Sequence, residues 1–286
     1  MTYPAQVHDY KLGSCAATAF SEFCRVRKLP GPYDRGMLGG VNPAWVEMLH
    51  KRASGGRQSR ATEVGLSVDE YVARAEVKIR NWVSGAHIRI RIREEQLVQF
   101  LLDGEYKTMA ETGQSGGGMT RVEARLKAEQ QVLGIPIDGA SALRPISAYL
   151  SGSDETGKIA IYGEIVLTVN DYLRSRTWFL LGDLVDTPIL NLGQALAPVP
   201  LLMPSIDAAS YRWNVIDAQT LPDVCGPHRY AEALIFGGLA PCDLLSVCYP
   251  PGIEPTDEVV RLSADEPWKL TTCGYPTSEA EAAPPG

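Results

Sequence analysis

The chain has 286 residues, 45% of them hydrophobic and 21% charged, and carries a formal net charge of -7, the make-up of a folded globular protein with ample material for a core. The acid excess argues against binding driven mainly by nucleic-acid phosphate, which needs clustered Lys and Arg. No run approaches the roughly 20 apolar residues of a membrane span. The start, Met1-Thr2-Tyr3-Pro4, has neither a basic n-region nor an apolar h-region, so no cleaved signal peptide is expected.

Six cysteines (Cys15, Cys24, Cys225, Cys242, Cys248, Cys273) are too dilute for a disulfide scaffold and read as reduced thiols. Cys225, His228, Cys242 and Cys248 could be drawn as a zinc set, but the gap between the last two is looser than zinc spacing usually is. No metal site is expected.

The first 85 residues read as helical. Arg52 to Arg60 is a basic, Gly/Ser-rich loop suited to an acidic contact. Ser67-Val68-Asp69-Glu70 has the form of a capping box, and the helix it opens should end near Ser84-Gly85. From residue 86 the period becomes two. Ile88, Ile90 and Ile92 alternate with Arg89, Arg91 and Arg93, which predicts a strand with a basic face.

A short helix over Leu97 to Leu102 is expected next, then a polar loop, Glu111-Thr112-Gly113-Gln114-Ser115-Gly116-Gly117-Gly118. Thr120 and Glu123 suggest another capping box, with Gly134-Ile135-Pro136 closing that helix. Strands are expected over Ile161 to Val169, Arg176 to Leu181, Tyr230 to Phe236 and Leu244 to Tyr249. Thr277 to Gly286 has the composition of a disordered tail. Helices followed by strands, with no internal repeat, give an α+β plan.

Glu232 lies in the apolar run Tyr230-Ala231-Glu232-Ala233-Leu234-Ile235-Phe236. Either that run is an edge strand with Glu232 facing water, or a buried carboxylate has a use that offsets its cost, since even a neutral unpaired polar group costs roughly 2–7 kcal/mol to bury. An Arg near the end of an early strand, a Gly/Thr/Ser loop, a Thr-aromatic strand and a late Glu are together suited to a ligand with phosphates and a sugar. Arginine grips pyrophosphate bidentately, and glycines allow close backbone approach. A lone carboxylate suits a positively charged oxocarbenium-like transition state.

Four segments in order, Tyr106 to Gly118, Tyr162-Gly163-Glu164-Ile165-Val166-Leu167, Arg174 to Asp183 and Tyr230-Ala231-Glu232-Ala233, resemble a family of bacterial proteins with an ADP-ribosyltransferase-like fold, which includes secreted effectors of the CteC type. The likeness spans about residues 86–255. It implies an ADP-ribosyltransferase-like split β-sandwich over residues 86–275, with a helical region over 1–85 that helps choose the protein substrate and a tail from 276. It also implies NAD as co-substrate, transfer of ADP-ribose to a host protein, and entry into the host cytosol without a cleavable signal.

Carried over by position, Glu232 matches the catalytic Glu, whose carboxylate would bond the nicotinamide-ribose 2′-hydroxyl. Arg93 matches the NAD clamp, with Arg91 as its alternative. Thr112, Gly113 and Ser115 match the loop at the nicotinamide end, and Thr177 and Phe179 fall where relatives carry a Ser-Thr-Ser-like strand with an aromatic. Tyr230 stands where arginine-modifying relatives carry Glu, which argues against an arginine acceptor. Tyr230 and His228 become candidate contacts to the acceptor, and effectors of the CteC type suggest a threonine of ubiquitin. Two other readings stay open: a binding module on the same fold that has lost its chemistry, and a hydrolase pairing His228 with Cys15 or Cys225.

Overall fold

A computed structural model describes residues 58–59, 61–116, 120–133, 135–152, 158–181, 183–185, 197–198, 216–225 and 229–272. The helices expected before residue 58, Cys15, most of the basic loop, Gly117, Gly118, His228 and the tail lie outside them.

Helix α1, Val68–Ser84, starts and ends where its signals predict. The Glu70 carboxylate accepts from the Ser67 N–H at 3.1 Å and the Ser67 hydroxyl at 2.8 Å, and the Ser67 oxygen accepts from the Glu70 N–H at 3.3 Å. Tyr71, Ala75 and Ile79, spaced by four, are buried in the same core as the sheet, so α1 packs with the body that follows it. Strand β1, Ile88–Ile92, then buries its isoleucines and leaves Arg89 and Arg91 half-buried on the other face.

The strand stops at Ile92 because α2, Glu94–Asp103, begins there with Arg93 as its exposed N-cap. Glu94 and Glu95 in its first turn suit the positive end of the helix dipole. A one-turn helix α3, Met109–Thr112, opens on Thr108, whose N–H and hydroxyl both bond Glu111 at 2.8 Å. Helix α4, Val122–Leu133, starts a residue later than a Thr120 cap would place it; Glu123 pairs instead with Lys127 at 2.6 Å.

The remaining strands are β2 (Ile146–Leu150), β3 (Ile165–Val169), β4 (Thr177–Leu181), β5 (Ala197–Pro198), β6 (Ala231–Ile235), β7 (Leu244–Tyr249) and β8 (Lys269–Thr272), with α5, Asp257–Ser263, between the last two. They form one open sheet in the order β5-β4-β6-β2-β1-β3-β7-β8, antiparallel throughout except for the β7–β8 pair. Ile161 and Tyr162, expected as the start of β3, lie instead in a 3-10 turn, Lys158–Tyr162. Helices with a mainly antiparallel sheet make the arrangement α+β, as the sequence predicts.

The sheet has two unlike faces. On one, Ile88, Ile90, Ile146, Ala148, Ala233 and Ile235 join Leu97 and Phe100 of α2 and Val259 of α5 in a single apolar core. The other face carries the polar partners of those residues. Cys248 on β7 corrects the reading of six reduced thiols: it is disulfide-bonded, which also removes it from any zinc set, whereas Cys225 and Cys242 are buried thiols in no disulfide. The bonding partner lies outside the described residues.

Two glycines set the floor of the polar face. Gly163 has φ +129°, and a Cβ there would lie 2.3 Å from the Ile92 carbonyl carbon and 2.8 Å from the Arg93 nitrogen. At Gly116, whose carbonyl accepts from the Arg93 N–H at 3.1 Å, a Cβ would meet the Tyr106 hydroxyl at 2.4 Å. Gly163→Ala should therefore lower stability by about 1–3 kcal/mol, read as a Tm fall of roughly 2–4 °C per kcal/mol. An unchanged Tm would mean that β1 and this turn do not pack so closely.

Candidate functional site

Glu232 is not on an edge. Strand β6 lies between β2 and β4, all five of its residues are buried, and Glu232 is 3% exposed. Residues directly opposite across a sheet share a face, and the register sets Arg89 opposite Tyr149 and Tyr149 opposite Glu232. Those three side chains form a row across β1, β2 and β6 on the polar face, and Arg91 is the next β1 residue on that side.

A buried carboxylate needs partners, and helix α4 brings them. Arg125 donates through Nη1 to Glu232 Oε1 at 2.6 Å and through Nε to Glu129 Oε1 at 2.8 Å. Glu129 Oε2 accepts from Arg144 Nη1 at 2.6 Å, and Arg144 Nη2 is tied to the carbonyls of Pro136 and Ile137 at 2.7 Å. Arg125, Glu129, Arg144 and Glu232 are all 3–6% exposed. The second Glu232 oxygen accepts the Leu184 N–H at 2.7 Å.

Beside it, Asp183 accepts from the Tyr230 hydroxyl, and its other oxygen accepts from the Val185 N–H at 2.7 Å. Burial raises the Glu232 pKa above its ordinary 4.5; Arg125 pulls it back down, and Asp183 pushes the same way as burial. Burial also works against the Arg125 charge, but Glu232 and Glu129 outweigh it and hold the guanidinium protonated. Burial, then Asp183 and Glu232, push Tyr162 up to about 12.

These groups line an open cavity. Its wall has five cationic side chains (Arg91, Lys107, Arg121, Arg125, Arg144) against three carboxylates (Glu129, Asp183, Glu232). In a protein of net charge -7, that local surplus of two positive charges fits a dianionic ligand. Glu232 has room to bind one as well, since a carboxylate offers about four lone-pair positions and two are taken.

The structure brings together Glu232, Arg91, Ser115 and Tyr230 in this cavity. Arg91 Nη1 also reaches the Gly163 carbonyl at 3.2 Å. Arg93 is not on the wall, because the chain turns into α2 before it can continue the basic face. Thr112 and Gly113 are exposed and shape the loop instead: Gly113 is the left-handed C-cap of α3, and the Thr112 hydroxyl donates to the Gln114 carbonyl at 2.6 Å.

Thr177 and Phe179 oppose Ile235 and Ala233, which puts them on the apolar face, away from Glu232. Thr177 donates to the Leu173 carbonyl at 2.7 Å and Phe179 is in the core, so neither is a ligand contact. Cys225 also faces that core, its thiol donating to the Leu221 carbonyl, which leaves the hydrolase pairing without support at that residue.

Several wall residues escape a reading of the sequence. Ser147 and Tyr149 lie on β2, whose Ile-Ser-Ala-Tyr-Leu is short and weakly alternating. Arg125 and Glu129, four apart on a helix, look like an ordinary exposed pair. Removing a link of a buried ion chain leaves an uncompensated charge, so Glu129→Ala should cost about 3–5 kcal/mol in urea unfolding. A loss under about 1 kcal/mol would mean that the chain behaves as a surface network.

No protein-family model matches the sequence, and no curated protein matches it.

Proposed function

We propose that the protein is an NAD-dependent mono-ADP-ribosyltransferase with an ADP-ribosyltransferase-like split β-sandwich, delivered by a bacterium to modify a host protein. The observation that carries this reading is the meeting of Glu232, Arg91 and Ser115 in one cavity whose wall has two surplus positive charges, the complement of a pyrophosphate beside a sugar. Arg91, rather than Arg93, takes the clamp role.

In the reaction, the bond between C1′ of the ribose and the nicotinamide nitrogen breaks, and nicotinamide leaves with the bonding electrons. An acceptor oxygen then bonds C1′ and gives up its proton. Glu232 stabilises the positive charge that develops on the ribose, and the Leu184 N–H and Arg125 hold its carboxylate in place beforehand, so little reorganisation is needed. Tyr230 presents a phenol bonded to Asp183, a surrounding suited to a hydroxyl acceptor, and a threonine of ubiquitin is the acceptor to try first.

Glu232→Gln keeps the shape of the side chain but only one of its two acceptors, and should cost about 10²–10³ in rate, read as transfer from labelled NAD to proteins of a eukaryotic lysate. Equal labelling by wild type and variant, or none by either, would sink the enzymatic reading. Purified ubiquitin should gain the mass of one ADP-ribose. A chain that binds NAD but labels nothing would instead be a binding module on the same fold.

The ionised carboxylate is the working form and its pKa is raised. Activity should therefore fall with acid at a pH above 4.5, and an acid limb at or below that value would assign the titration to another group.

A further inference from the structure

We infer that Arg125 is a ligand-contacting residue of the cavity, holding Glu232 with one amino group and presenting the other, Nη2, to a ribose hydroxyl that itself donates to Glu232. The inference rests on the proposed NAD-type ligand and adds a contact to it. Arg125 is 6% exposed and lines the cavity. Its Nε and Nη1 are bonded to Glu129 and Glu232, yet Nη2 is buried with no hydrogen-bond partner.

An unpaired donor on a buried cation is costly, more so than on a neutral group. Its neighbour in the same chain shows the contrast: Arg144 Nη2 has the carbonyls of Pro136 and Ile137. The unmet donor therefore belongs to Arg125, the arginine bonded to Glu232. The Arg125 arm that bonds Glu232 is adjacent to the vacant one, so donor and acceptor stand side by side. A hydroxyl, which both accepts and donates, satisfies both at once. A ribose offers such groups at the position where Glu232 would act, whereas the guanidinium charge is already balanced by Glu129 and Glu232 and does not oppose a developing positive charge.

Calorimetry with two probes, ADP-ribose and ADP, separates this contact from the phosphate grip, because ADP lacks the distal ribose. Wild type should bind ADP-ribose about tenfold more tightly than ADP, the size expected of a charge-assisted hydrogen bond. Arg125→Lys, which keeps the charge but not Nη2, should lose the preference for ADP-ribose over ADP. Retention of the wild-type ratio by the variant would overturn the inference while leaving the NAD reading standing. Wild type that bound neither probe would overturn both.

A measurement on wild type covers a variant that fails to fold. The Nη2 proton resonances of Arg125 should shift with ADP-ribose and stay put with ADP, and a resonance that ignores both probes, with binding seen by calorimetry, would refute the contact.

Discussion

The buried run of alternating charges, Arg144 to Glu129 to Arg125 to Glu232, is what allows a carboxylate to stand in the middle of this sheet. Each charge removed from water costs several kcal/mol, and mutual attraction offsets that only when geometry is good and the remaining donors and acceptors are met. Here every contact in the run is 2.6–2.8 Å, and Pro136, Ile137 and Leu184 backbone groups hold the ends. Apolar side chains of similar volume generally fill such a site at no loss of stability. Four buried ionic side chains around an open cavity are thus better explained by polar work at the cavity than by fold stability.

That work depends on the two-faced sheet. Alternation in Ile88–Ile92 sends isoleucines to the helices and arginines to the polar face, and the same parity carries across β2 and β6 through the register. The apolar face, packed against α1, α2 and α5, makes a stiff floor. The polar face can then carry unlike charges at fixed separations, which is what preorganised electrostatics requires. A one-residue slip of β6 would exchange the environments of Glu232 and Ala233. The ion chain thereby resists the slip, since moving Glu232 to the apolar face would strand Arg125.

Much of this was legible in local chemistry. The Ser67–Glu70 capping box, the change of period at residue 86 and the anomaly of Glu232 are properties of adjacent residues. The choice between Arg91 and Arg93 was not, because it turns on α2 beginning at Glu94. A basic alternation of three looks the same whether its last member ends a strand or caps a helix. Thr177 and Phe179 were misplaced for a related reason. Their face depends on how β4 registers with β6, and parity between strands is not written in either strand alone. Arg125, Glu129 and Arg144 were hidden more deeply, since a helical i,i+4 pair has the same sequence whether it is solvated or buried.

Two of the three carboxylates on the cavity wall, Glu232 and Asp183, also differ in a way that only the assembled site reveals. Glu232 is bonded to a guanidinium and an amide, whereas Asp183 is bonded to a phenol and an amide. Carboxylates placed in unlike surroundings can take unlike roles: Arg125 and the Leu184 N–H hold Glu232 in position and orientation, whereas Asp183 is tied to the Tyr230 hydroxyl. Tyr230, two residues before Glu232, joins them by pointing its hydroxyl at Asp183. Tyr230 thereby ties to the site a second carboxylate, drawn from the chain just beyond β4.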